Sequence, residues 1–148
     1  VPETTDIPLR VRTRRVNDIC AAEGARNVCV VSIHNNAAGA DGRWHDARGW
    51  AEYVANNAGQ GSRRLAALLA EEANARHLMG NRATPPQGYW QASLAICRDT
   101  KCAAVLTENL FQDNIEDVQC LLSEAGKAEL TELHVAAITK YVRQCEGK

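Results

Sequence analysis

The sequence predicts an α/β fold: a twisted, mostly parallel or mixed sheet with helices on both faces. Three observations carry that prediction. Short runs rich in β-branched and apolar residues alternate with longer segments of helical periodicity. Two of the apolar runs, VCVVSI and CAAVLT, are continuous rather than alternating, as strands covered on both sides are. No repeat, low-complexity tract or linker interrupts the 148 residues, a length suited to one core.

The elements follow in order. Thr5 or Asp6 can cap a first helix with Pro8 in its first turn, in which Leu9, Val16, Ile19 and Cys20 recur up to Gly24. Residues 28–33 read as a strand buried on both faces. Residues 35–47 read as loop, and 49–54 as a short strand. Leu65, Leu68 and Leu69 mark the inner face of a helix over 62–77. Pro85 and Pro86 place 81–88 in a loop. Residues 93–97 and 102–107 read as a strand pair around the polar segment RDTK. Asp113 with Glu116 forms a capping-box pattern for a helix through Leu122. Ser123 can cap a last helix with a stripe of Leu130, Leu133, Ala137, Ile138, Tyr141 and Cys145.

The formal net charge of −1 gives no electrostatic case for nucleic acid or an anionic membrane. The basic run RVRTRR spreads around a helix and reads as solvated surface. No apolar run approaches the length of a membrane span, and the N-terminus lacks a signal-peptide pattern. The chain begins at Val1 on a polar stretch, which suggests processing or a fragment. The six cysteines show no CxxC pair or finger spacing. Cys97 and Cys102 either face each other as a disulfide or remain free buried thiols.

Two strands end in chemistry. The first runs into His34 with Asn35 and Asn36 behind it; the second into Glu108 and Asn109. Ligands in open α/β sheets bind beyond the carboxyl ends of the strands. If the two strands are parallel, a histidine and a carboxylate emerge together, suited to metal ligation and general base catalysis. A satisfied structural histidine and a solvated or capping glutamate are the plain alternatives.

Residues 32–37, SIHNNA, resemble the S-x-H-x-N-A motif of the zinc-dependent N-acetylmuramoyl-L-alanine amidases of family 3. Residues 107–117, TENLFQDNIED, resemble that family's E-x-G-F-x-S-N-P-x-E/D motif through Glu108, Phe111, Asn114 and Glu116 or Asp117. Leu9, Arg12 and Asn17 resemble its D-x-x-x-L-x-x-R-x-x-x-A-N segment. Leu110, Asp113 and Ile115 stand where the family has glycine, serine and proline.

The resemblance implies a Zn2+ ion, with His34 as its last ligand and Glu108 as the catalytic carboxylate beyond the metal shell. Asn36 is implied as a loop-fixing or substrate-facing residue. The implied substrate is peptidoglycan, cut between N-acetylmuramic acid and L-alanine, in an extracytoplasmic setting. The family's other two ligands belong to motifs that do not occur here. Residues 1–148 are therefore expected to be a single amidase-like domain that is incomplete at its N-terminus. The missing piece is then a fragment of the same protein or another chain; otherwise the domain is degenerate and binds peptidoglycan or a partner without cutting. His45 could approach the site, whereas His77 suits a helix C-terminus and His134 a partly buried structural position. Trp44 and Trp90 are open candidates for sugar contact, while Trp50 and Tyr53 read as packing. A hydrolase using Cys29 or Cys97 as nucleophile with His34 as base is the remaining rival.

Overall fold

The computed structural model describes residues 4–146; the opening of the chain at Val1 lies outside them. The α/β prediction holds. Helix α1 spans Leu9–Glu23, β1 Cys29–Asn36, β2 Ala51–Val54 and α2 Gln60–Ala75. Then come β3 Trp90–Gln91, α3 Ala95–Arg98, β4 Ala103–Phe111, α4 Ile115–Leu122 and α5 Glu124–Glu146. One mixed sheet has the order β1-β4-β2-β3, with β1 parallel to β4, β2 antiparallel to β4 and β3 parallel to β2.

Alternation along β4 sends neighbouring side chains to opposite faces. Val105 joins the larger core with Trp50, Val54, Leu65, Leu69, Leu133 and Ala137, contributed largely by α2 and α5. Leu106 joins a smaller cluster with Ala55 and Cys97 under α3. Each fully buried large side chain of the first core contributes roughly 1.5–3 kcal/mol.

Several expectations change. β1 is the sheet's edge, so it is only partly buried, and Ile33 is 64% exposed. An apolar run cannot reveal which strand ends up outermost. Residues 95–98 form a helical turn instead of a strand, because the Cys97 and Arg98 amides both close onto the Leu94 carbonyl, at 3.0 and 2.8 Å. Cys97 then packs beneath Tyr53, its thiol 3.6 Å from the Tyr53 carbonyl, and the Cys97–Cys102 disulfide does not form. All six cysteines are free.

Helix α1 has no side-chain cap; Asp6 pairs with Arg12 instead. Asn114 rather than Asp113 caps α4, accepting from the Asp117 amide at 3.1 Å. Ser123 caps α5 as expected, through the Gly126 amide at 2.9 Å. Gly49 (φ 102°) permits a backbone crossing at which an added Cβ would stand 2.4 Å from the Met79 carbonyl oxygen.

Candidate active site

The parallel pairing places His34 directly beside Glu108, in register. Register partners in a parallel pair share a face, so both side chains leave the sheet at its carboxyl end on the side of Leu106. His34 is exposed, with Nε2 3.0 Å from the Ser32 hydroxyl. Glu108 is half-buried; its Oε2 is shielded from solvent and has no hydrogen-bond partner. Burial raises the Glu108 carboxyl above its ordinary range, while the charges of His34 and Arg82 pull the other way. A carboxyl raised in this manner takes up a proton more readily than an ordinary glutamate, which suits a group that accepts and returns one.

Just beyond Glu108 the register slips: Asn36 pairs with Phe111, so three steps on β4 match two on β1. Leu110 occupies this bulge with φ 66°, the left-handed region that favours glycine. Leu110, which stands where the resembled motif has glycine, thus takes a backbone shape that favours glycine, and its side chain is buried. The bulge separates the strand that aims Glu108 from the turn leading into α4.

Asp117, at the start of α4, fixes that turn. Its Oδ2 accepts from the Phe111 amide at 2.9 Å and the Gly49 amide at 2.7 Å. Asp113, no longer needed as a cap, accepts from the Ala38 and Gly39 amides at 2.7 and 3.0 Å. Asn36 lies at the slip; its Oδ1 accepts from the Ala37 amide and its carbonyl from the Gln112 amide.

Behind the site runs a buried polar chain that short motifs did not reveal. The Trp50 indole donates to Asn109 Oδ1 at 3.1 Å. Asn109 Nδ2 donates to the His34 carbonyl at 3.0 Å and to the Thr107 hydroxyl at 3.1 Å. Thr107 in turn meets His134 Nε2 at 3.0 Å, and His134 Nδ1 donates to the Leu130 carbonyl at 2.7 Å. His134 is thus structural, as expected, and burial lowers its pKa. The one sequence signal was Asn109, an amide directly after a strand-end carboxylate.

His45 does not join His34. Its ring bonds Asp41 at 2.9 Å and its amide bonds the Asp113 carbonyl at 2.7 Å. Trp44 is 60% exposed on the same loop, and Trp90 stacks near Tyr53 with ring centroids 5.9 Å apart. Burial pushes the Cys97 thiol up to about 11 and the Cys29 thiol upward too, which opposes formation of a nucleophilic thiolate.

Among the described residues no group of three His, Cys, Asp or Glu side chains could hold a metal ion. His34 alone offers one nitrogen, where a catalytic zinc centre takes three protein ligands. The described residues therefore do not fit zinc by themselves.

A family model for N-acetylmuramoyl-L-alanine amidases matches residues 3–140. No curated protein sequence matches the chain. Among solved structures, an N-acetylmuramoyl-L-alanine amidase from Clostridium difficile 630 is 22% identical, with a TM-score of 0.77 over 97% of this chain and 69% of that one. The catalytic domain of CwlV from Bacillus (Paenibacillus) polymyxa var. colistinus is 21% identical, with a TM-score of 0.72 over 97% of this chain and 70% of its own. AmiC2 of Nostoc punctiforme is 21% identical, with a TM-score of 0.71 over 94% of this chain and 68% of its own. At these identities the structures speak for the fold alone. The family model spans most of the chain, including both strand-end motifs: the chain belongs to the N-acetylmuramoyl-L-alanine amidase family.

Proposed function

We propose that this chain hydrolyses the amide between the lactyl group of N-acetylmuramic acid and the L-alanine of the stem peptide in peptidoglycan. The observation that carries the reading is the register pairing of His34 with Glu108, one of whose carboxylate oxygens is shielded from solvent and unpartnered. Family membership supplies the bond. Glu108 would take a proton from the attacking water as it adds to the amide carbonyl. It would return that proton to the alanine nitrogen as the C–N bond breaks, leaving a lactyl carboxylate and a free amine. Asn36 would hold the loop beside the cleft or face the substrate.

We read His34 as one ligand of a Zn2+ site, a role that the family resemblance suggests. Such a site requires ligands from outside the described residues, from an N-terminal fragment of the same protein or another chain. No step is assigned to the metal. Peptidoglycan as substrate implies an extracytoplasmic location. No helix among the described residues is long and apolar enough to cross a membrane.

The missing ligand set favours one alternative, a binding module that grips peptidoglycan or a partner without cutting it. The deciding experiment incubates the full chain, together with the fragment or chain that supplies the remaining ligands, with a defined muropeptide and weighs the products. Separation into a lactyl-terminated glycan and an alanine-terminated peptide, abolished by Glu108→Gln, supports the amidase. Tight binding without products, with no zinc in the sample, supports the module.

A further inference from the structure

Arg82 is not explained by the fold. It lies in the loop before β3, and its guanidinium carbon is 5.0 Å from the ring centre of Trp90 and 5.5 Å from that of Phe111. Two rings therefore hold the cation in place. Yet the group has five N–H donors and, among the described residues, makes no hydrogen bond and no ion pair. Its Nη1 is fully shielded from solvent and unpartnered. A guanidinium nitrogen shielded from water without a partner is costly, and a folded chain seldom keeps one without a use. Glu108 is the nearby opposite charge that its field reaches, but Glu108 stays unbonded too. A cation and a carboxylate thus lie within electrostatic reach of one another and are left unjoined.

We propose that Arg82 is the specificity-determining residue of this site and receives a carboxylate of the stem peptide, while Glu108 works on the scissile amide. The inference rests on the amidase reading. Its chemistry is that of a planar guanidinium, which takes a carboxylate through two parallel hydrogen bonds. Trp90 and Phe111 fix the plane, so little side-chain freedom remains to be lost on binding. A stem peptide offers two carboxylates: the free α-carboxylate of its second residue, a γ-linked D-glutamate, and the one at its C-terminus. Amidation of the first is a common chemical variation of the polymer, so a residue reading that group would sort substrates by amidation state.

The test titrates the full chain, as the Glu108→Gln variant so that no turnover intervenes, with three muropeptides. One carries both carboxylates, one is amidated at the second residue, and one is amidated at the C-terminus. Calorimetry gives each Kd, and thermal melting checks that every variant is folded. One of the two amidated ligands should bind about tenfold more weakly than the parent, and which one identifies the carboxylate read. Arg82→Gln should erase that difference by weakening the parent alone. Arg82→Lys should keep part of it, because the charge remains while the fork is lost. Equal affinity for all three ligands, or a tenfold difference that survives Arg82→Gln, would overturn the assignment and leave the amidase reading standing. No binding of any muropeptide would overturn both.

Discussion

Glu52, fully buried, and Glu108, half-buried, are carboxylates on adjacent strands, and they differ in which face of the sheet they occupy. Ala51 pairs with Glu108 and Glu52 with Thr107, so the two acids are one residue apart in register but on opposite sides. Glu52 is fully buried toward α2, and neither of its oxygens has a hydrogen-bond partner. Burial raises its carboxyl well above the ordinary range; the Ala70 backbone opposes the shift slightly but makes no hydrogen bond of normal geometry. Glu108 has an unpartnered oxygen as well, but it keeps contact with solvent and has His34 and Arg82 within electrostatic reach. Burial alone does not make a functional acid. What separates the two is access, together with opposite charges that keep the ionised form within reach.

The comparison can be sharpened by experiment. The largest stability effect should come from Asn109→Ala, on the closed face. It removes a side chain that serves the Trp50 indole, the Thr107 hydroxyl and the His34 carbonyl. We expect a loss of about 3 kcal/mol in chemical denaturation, since each orphaned buried group costs roughly 1–3 kcal/mol. A loss under about 0.5 kcal/mol would show that the polar chain carries no weight. Glu52→Leu should act in the opposite direction and stabilise by on the order of 1–3 kcal/mol at neutral pH. The sign follows from linkage. The folded-state pKa of Glu52 lies above its unfolded value, so its contribution to stability is fully present below about pH 4.5 and is lost as pH rises through the folded value. The advantage of Glu52→Leu in melting temperature should therefore be larger at pH 8 than at pH 4; equal gains at both would contradict this.

Glu108 makes the contrasting pH prediction. As a base it must be ionised, so kcat should rise with pH through a value above the ordinary glutamate range of about 4.3–4.5. A limb at or below that range would remove the desolvation argument. The smallest effect belongs to Trp44→Ala. With 60% of its surface exposed, its loss should change stability by less than about 0.5 kcal/mol. Weaker retention on insoluble peptidoglycan, with turnover of a short muropeptide unchanged, would assign it to glycan contact.

Much of this was legible in the sequence, for local reasons. The apolar runs ending in His34 and Glu108 marked both strands, and two motifs in the right order marked their ends. The parallel pairing then set the two residues side by side. What was not legible depends on the third dimension. The edge position of β1 follows from strand order, to which its composition is blind. Residues 95–98 carry the same apolar character as a strand and become a helical turn only because their amides close on Leu94. Asp113 and Asn114 are adjacent residues that can both cap a helix; the Ala38–Gly39 amides claim the first and leave the second to α4. The chain through Trp50, Asn109, Thr107 and His134 joins residues 27 and 59 positions apart, so no local pattern could expose it. Leu110 departs from the glycine of the resembled motif, yet takes the left-handed backbone that favours glycine, which composition does not show.

The claim that access and charge, rather than burial, single out the working acid has one direct test. Glu108→Gln and Glu52→Gln are compared for muropeptide cleavage at equal folded fraction, in the presence of whatever fragment completes the site. The account predicts a loss on the order of 10²–10⁴-fold for Glu108→Gln and turnover within about twofold of the parent for Glu52→Gln. Comparable losses for both, or cleavage that survives in Glu108→Gln, would contradict it.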